Sequence, residues 1–595
     1  MLQSIHERLQ AVRHEMQRQN VDAFIIPRAD EYLGEYVPAH NERLLWISEF
    51  TGSAGMVIVL KDGAAIFVDG RYTVQVRQQV DGQLFEYLSL VDTPQIAWLI
   101  EKLGTGTKVG YDSRLHTLAW QQHASKRLTA AGIELTALEQ NPVDLSWQNR
   151  PQAPTASAML FDESLAGQSS FDKRHAVARS VADLGADVAL VTALDSICWL
   201  LNIRGQDVPC LPVILGTALL HANGDLEFFT NLDKLPADIH AHVGTGVTFA
   251  NEEELTAALT ALKGKSLLAD PATANAWSQL LAQSAGASLI AAADPVALPK
   301  AQKNQAELTG MKACHIRDGV AVTRFLAWLD QEVEANRLYD EAELAEKLES
   351  FRKLDSKYQQ PSFDTISATG ANAAMCHYNH NNGIPAKMQR NSLYLVDSGA
   401  QYIDGTTDVT RTIAIGNVTA EHRKMVTLVL KGHIAVDQAK FPKGTTGQQL
   451  DAFARQYLWQ YGYDYDHGTG HGVGHFLSVH EGPQRIAKNS NDVPLLPGMV
   501  VSNEPGYYRA DEFGIRLENL ISVKPCLELA GIEREMLMFE SMTLIPMDTR
   551  LIEKSLLTQQ EVDWLNQYHA EVLLQLSPFM DASELIWLKQ ATAAL

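Results

Sequence analysis

The feature that most constrains the fold is a pattern that occurs twice, over Arg8–Gly55 and again over Arg174–Val208. Each copy begins as an amphipathic helix (RLQAVRHEMQRQ, RHAVARSVADLG), turns, and enters a buried strand (DAFIIP, DVALVTA). Each then runs into an apolar element containing tryptophan, LLWISEF in the first and SICWLLNI in the second. A further strand bounded by turn residues follows, AAIFVDGRY and DLEFFTN respectively. A unit that returns in the same order predicts two related α/β domains in tandem. The Pro-, Asn- and Ser-rich stretch NPVDLSWQNRPQAPTAS predicts the boundary between them. A second boundary is expected near ADPVALPKAQKNQ, where longer helices such as AELTGMKACHIRDGVAVTRFLAWLDQEV begin. A chain of 595 residues exceeds what one core supports and divides into about three or four domains.

Charge and cysteine usage exclude several classes. A net charge of −22 argues against nucleic acid or an anionic membrane as partner, since both reward a basic surface. The five cysteines are scattered, odd in number and without C-x-x-C, which suits a reducing compartment. The N-terminus lacks an apolar leader; Ile5, Leu9, Val12 and Met16 fall at helical spacing, with Ser4 and Glu7 as a capping box. No run of about 18 apolar residues occurs, so no membrane span and a cytoplasmic location are expected.

The chemistry is concentrated in the last unit. His467–His480 reads HGTGHGVGHFLSVH, with the first three histidines at i, i+4 and i+8. A helix would align them, but each intervening glycine costs about 1 kcal/mol there, so a strand or loop closely approached by another element is expected. The zinc-helix pattern H-E-x-x-H is absent, and G-x-G-x-x-G is not satisfied. Four carboxylates accompany the run: Asp397 ending SLYLVDSGA, Asp408 in DGTTDVTRTIAIG, Glu504 ending GMVVSNEP, and Glu518 in GIRLENLISV. In the last segment Arg516 and Glu518 are expected on one face of a single strand. Buried carboxylates need partners, and only Arg411 and Arg516 lie nearby in sequence. The set therefore suggests metal. Lacking Cys, it is not a structural zinc site; rich in carboxylate with one imidazole, it suits Mn²⁺, with Co²⁺, Fe²⁺ or Zn²⁺ able to substitute. Four negative charges would balance two divalent ions, the usual arrangement for activating water in hydrolysis.

VDSGAQYIDGTTDVTRT, HGTGHGVGHFLSVHEGP, SNEPGYY and GIRLEN together closely resemble the catalytic domain of aminopeptidase P, the Xaa-Pro aminopeptidase family of the pita-bread metallopeptidases. FTGSAG and FVDGRY near the N-terminus and LTQQEVDWLNQYH near the C-terminus extend the resemblance to essentially the whole chain. It implies an α/β (α+β) chain of two tandem creatinase-like domains, 1–155 and 156–298, followed by a pita-bread catalytic domain, 299–595. It implies that Asp397 binds one of two metal ions, that Asp408 and Glu518 bridge both, and that His471 and Glu504 complete the second. A hydroxide between the ions would be the nucleophile and Glu504 the proton shuttle. His377, His467 and His480 would orient substrate and support the tetrahedral intermediate as an oxyanion hole does. Tyr508 and Arg516 would line the pocket, Arg516 steadying the carboxylates. Peptides with an N-terminal Xaa-Pro are the implied substrates and a homodimer the implied assembly.

Blander readings stand beside these. Any single Asp beside Gly is more often a turn residue than a ligand, and for Asp404 the turn reading should win. Cys376 reads as a small buried residue, Gly52–Gly55 as a tight turn, and His475 receives no role. Tyr507 competes with Tyr508 for the pocket. Prolidase, which shares the ligand set but takes Xaa-Pro dipeptides, is the nearest rival function; methionine aminopeptidase lacks such large N-terminal domains. A peptide-binding module on the same fold that has lost catalysis is the alternative of a different class.

Overall fold

Ser4 accepts from the amide of Glu7 and Glu7 receives the amide of Ser4, so the first helix, Ile5–Arg18, starts where the sequence places its capping box. The computed structural model describes residues 3–595. Leu9, Val12 and Met16 of this helix are buried in one cluster with Phe24 and Ile26 of the strand Ala23–Pro27. Ala23 and Ile25, pointing the other way, belong to a second cluster with Trp98 and Leu128. A strand covered on both faces reads as a continuous apolar run, which is why AFIIP shows no alternation.

The duplication extends to topology. In the first copy the sheet order is Glu86–Ser89, Gly63–Val68, Met56–Leu60, Ala23–Pro27, Lys108–Tyr111, Glu134–Ala137. In the second it is Val247–Ala250, Leu226–Phe229, Thr217–His221, Val188–Val191, Ser266–Ala269, Ser288–Ala291. Both sheets pair their second, third and fourth strands antiparallel and add the remaining strands in parallel. The tryptophan elements are the helices Arg43–Ser48 and Leu194–Leu201. The central strands MVIVL and TALLH complete the equivalence, although the sequence pattern does not single them out.

The chain divides into two compact units: one runs to Glu163 and resumes over Gln168–Ala297, the other takes Ser164–Gly167 and Leu298–Leu595. The longest helix of the second unit, Gln305–Glu334, is capped by Asn304 and Glu307. Three antiparallel strands, Ile366–Thr369, Ser392–Ser398 and Val409–Ile415, form one of its sheets. Another has six strands in the order Lys440–Pro442, Met536–Ser541, Asn519–Pro525, Val500–Asn503, Gly470–Gly472, Glu481–Ile486.

The single strand expected through GIRLENLISV is broken. Phe513–Arg516 forms a hairpin with Gly506–Arg509, whereas Asn519–Pro525 joins the six-stranded sheet. Leu517 and Glu518 occupy the gap, their amides donating to the carbonyls of Pro505 (3.3 Å) and Thr410 (3.1 Å). The backbone crosses from one sheet to the other here and delivers the Glu518 carboxylate into the space between. Among the described residues, no helix is long and apolar enough to cross a membrane, and all five cysteines are free thiols.

Candidate metal centre

Five side chains from separate elements converge. Asp397 is the penultimate residue of Ser392–Ser398 and lies opposite Thr410 in the neighbouring strand. Asp408 stands just ahead of Val409–Ile415, and Glu504 immediately follows Val500–Asn503. His471 is the middle residue of the short strand Gly470–Gly472. The glycines around it are required by close approach: a Cβ on Gly470 would lie 2.0 Å from the Ser502 carbonyl oxygen, and one on Gly472 2.3 Å from that of Glu481.

His471 Nδ1 donates to the Gly472 carbonyl (2.9 Å), which turns Nε2 toward the carboxylates of Asp408 (3.4 Å) and Glu504 (3.6 Å). Asp397, Asp408 and Glu518 bring one oxygen each to within 4.8 Å of one another, as do the ligand atoms of His471, Glu504 and Glu518. A third such group comprises Asp408, His471 and His480. Among the described residues, the one arginine hydrogen-bonded to these carboxylates is Arg516, whose Nη2 donates to Asp397 Oδ2 at 2.6 Å. Arg411 instead donates to the carbonyls of Thr410, Glu518, Ile545 and Pro546, so it braces the backbone and makes no hydrogen bond to a carboxylate.

The electrostatics are those of a cation site. Burial, followed by the charge of Asp408 once the opposing pull of Arg516 is allowed for, pushes the Asp397 carboxyl up to about 6. Burial and the neighbouring carboxylates drive Glu518 well above its usual range, and burial raises Glu504. Burial acts to lower His471, but Asp408 and Glu504 outweigh it and lift the imidazole to about 9. Asp397 Oδ1 and Glu518 Oε1 are buried without a hydrogen-bond partner. Buried oxygens of this kind are costly unless something positive meets them. The donor set therefore fits two divalent cations.

The auxiliary residues gather around it. His480, directly before Glu481–Ile486, sets its ring edge-to-face against His471 with centroids 4.3 Å apart. His467 Nδ1 donates to the Gly468 carbonyl (2.7 Å), and its Nε2 accepts from the Tyr508 hydroxyl (2.7 Å). Burial, then Arg516, holds His467 well below its usual value, hence neutral. Arg516 Nη1 donates to Tyr508 (2.6 Å), so one guanidinium ties that phenol to Asp397. Tyr507 faces away and packs against Tyr463 and Phe513. His377 lies half-buried in the turn after Gly370–Ala374, near enough to His467 to influence it electrostatically. His475 stands apart, buried with Nε2 beside Gly310 of the long helix.

Two sequence readings are corrected. Cys376 is partly exposed, not buried, because the turn carrying it lies at the rim near Tyr508. Arg411, as described, pairs with no carboxylate. Asp404 does occupy a turn, and is buried between Arg317 and Lys357. Thr410 was not foreseen: its hydroxyl accepts from Arg516 Nε (3.1 Å) and donates to Glu518 Oε2 (2.7 Å). Its signal was available, since Asp408, Thr410 and Thr412 share one face of an alternating segment.

Residues 309–525 match metallopeptidase family M24, and 535–595 match the C-terminal region of that family. Residues 8–141 and 149–307 each match a creatinase/prolidase N-terminal domain. A Talaromyces marneffei protein described as "Probable Xaa-Pro aminopeptidase P" is 40% identical over 99% of this chain and 92% of its own. The chain belongs to the Xaa-Pro aminopeptidase P family. Within that family, the crystal structure of X-prolyl aminopeptidase from Caenorhabditis elegans, described as a cytosolic enzyme with a di-nuclear active site, superposes with a TM-score of 0.94. The two share 33% identity over the full length of both chains. The Xaa-Pro dipeptidase of Bacillus anthracis covers 64% of this chain and 99% of its own, at 24% identity and a TM-score of 0.50, and shares the fold alone. Creatinase-like domains followed by an M24 domain are thus the architecture of this aminopeptidase P relative.

Proposed function

We propose that the protein removes the N-terminal residue from peptides with proline second, with two divalent cations held by Asp397, Asp408, His471, Glu504 and Glu518. The observation that carries this reading is the convergence of Asp397, Asp408, Glu504, Glu518 and His471 in one buried cluster, with Arg516 the one arginine among the described residues that forms an ion pair with it. Manganese is the metal we favour, on the carboxylate-rich donor set, with cobalt or zinc able to replace it. When bound, the cations supply a water of lowered pKa and polarise the scissile carbonyl.

The protein's own groups do the rest. The substrate's ammonium is drawn to the acidic cluster to which Asp397 Oδ1 belongs. Arg516 fixes Asp397 by its other oxygen and so keeps Oδ1 aimed inward. Glu504, raised by burial, is suited to take a proton from water and return it to the leaving nitrogen. That nitrogen matters here, because the amide before proline carries no N–H and cannot be recognised through one. His480, packed on the His471 ring, is placed to donate to the oxygen that becomes negative. Neutral His467, anchored by Gly468 and Tyr508, and His377 at the rim form the wall against which substrate is oriented.

The reading extends to a cytosolic location, in line with the nematode relative and the free thiols, and to a homodimer. The test is release of the N-terminal residue from an Xaa-Pro-Xaa tripeptide, an Xaa-Pro dipeptide and an Xaa-Ala-Xaa tripeptide, after EDTA and after Mn²⁺ is restored. Cleavage of the proline tripeptide alone, lost to EDTA and recovered with Mn²⁺, is expected. A preference for the dipeptide would identify a prolidase, and inactivity on all three with metal bound a binding module.

A further inference from the structure

The segment that carries His377 is held from two sides. On one side stands Glu341, the first residue of the helix Glu341–Arg352, which Asp340 and Glu343 cap. It is fully buried. Its Oε1 accepts from the amide of Thr369 (2.8 Å) and from Asn372 Nδ2 (2.9 Å). Its Oε2 accepts from the Tyr378 hydroxyl (2.7 Å) and from the amide of Ala386 (2.8 Å). The Glu341 amide in turn donates to the Ala386 carbonyl (3.1 Å). One carboxylate thus gathers donors from before and after His377, one of them on the very next residue.

On the other side lies the hairpin that carries Tyr508 and Arg516. The Ala373 carbonyl presses against Gly514, where a Cβ would come within 1.7 Å of its oxygen. Gly514 is itself the cross-strand partner of Tyr508. The segment is therefore wedged between the hairpin and Glu341, and Glu341 supplies the polar side of the wedge. All four groups on its carboxylate are donors. An ionised carboxylate, which only accepts, meets all of them, whereas the NH₂ of a glutamine would face a donor it cannot accept from. Glu341 belongs to none of the groups of described side chains that could hold a metal ion.

We propose that Glu341 is a positioning residue, fixing this segment so that the His377 imidazole keeps its place in the wall that orients substrate. This rests on the aminopeptidase reading above and adds to it the group through which His377 is held.

The experiment combines Glu341→Gln with His377→Ala in the full chain, loaded with Mn²⁺ and assayed on an Xaa-Pro-Xaa tripeptide. Each single change should lower kcat/KM by roughly tenfold. The double variant should be no worse than the poorer single, because a histidine that is absent cannot be misplaced. Calorimetric titration of the metal-free Glu341→Gln protein should give a Mn²⁺ affinity within about twofold of wild type, where loss of a group that orients a ligand would cost about tenfold or more. Amide hydrogen exchange over 370–386 should quicken by about tenfold in Glu341→Gln, with Ser392–Ser398 unchanged. Tyr378→Phe keeps the ring packed on the cluster of Ile366, Ala368, Ala373 and Leu395 and removes only the hydroxyl. It should lower kcat/KM by about threefold, again without adding to His377→Ala, and it decides the matter if Glu341→Gln does not fold. Losses that multiply, exchange that does not change, a His377→Ala variant as active as wild type, or a fall in Mn²⁺ affinity as large as the fall in activity overturns the inference while the aminopeptidase reading stands. A wild type that cleaves no proline peptide overturns both.

Discussion

His471 and His475 are four residues apart, yet their surroundings give them different work. His471 Nε2 faces two carboxylates, whereas His475 is buried beside Gly310. His471→Ala is expected to lower kcat/KM by roughly 10³-fold or more and to reduce metal content, read by elemental analysis of the purified protein. His475→Ala should leave activity within about threefold but cost ~1–3 kcal/mol of stability through the cavity it opens, read by denaturant unfolding. Equal inactivity of the two variants would refute this division. The carboxylates make a further prediction. Asp397 is pushed up to about 6, first by burial, and Glu504 and Glu518 shift the same way. A carboxyl whose folded-state pKa is raised holds its proton more tightly folded than unfolded, so it costs stability as pH rises from the ordinary carboxylate range through about 6. Cations remove that cost by binding the ionised form. Added Mn²⁺ should therefore raise the melting temperature more at about pH 7.5 than at about pH 5.5, and equal shifts would contradict the assignment.

At the scale of elements, the site depends on places where regular structure stops. Glu504 and Asp408 lie just outside strands, and Glu518 sits in the gap between two. This gap was not legible, because GIRLENLISV alternates as one strand would; only pairing with two different sheets divides it. The histidine–glycine run was legible in kind, since the cost of glycine in a helix already favours an extended segment. Which backbones the glycines admit required the fold: the Ser502 and Glu481 carbonyls come from strands distant in sequence or register. Glu481 illustrates the energetic consequence of such burial. Replacing it by Gln removes the carboxylate that the buried Lys300 and Lys303 ammoniums both meet, and a loss of ~3–5 kcal/mol is expected in chemical denaturation. Substituting Lys300 and Lys303 by Met in the same chain should recover much of it; failure to do so would show that the pair is not what Glu481 supports.

For the molecule as a whole, the groups of side chains among the described residues that could hold a metal ion all belong to the M24 region, and none lies in the duplicated N-terminal sheets. Exposed aromatics on and just after the helix Gly447–Trp459, namely Phe453, Trp459 and Tyr461, are consistent with the proposed homodimer. Light scattering should give twice the chain mass of 65.6 kDa, and a single-chain mass at micromolar concentration would exclude it. The sequence by itself determined the duplication, the residue types of the metal centre and the family, because these depend on local periodicity and on short motifs. It also put Tyr508 at the pocket by resemblance, with Tyr507 as its rival. Only the tertiary structure decided that Tyr508 meets His467 and Arg516, that Thr410 links Arg516 to Glu518, and that Arg411 braces carbonyls. The reason is physical: a strand's period fixes which face a side chain takes, but its partner is set by whichever chain segment, often a hundred residues away, packs against that face.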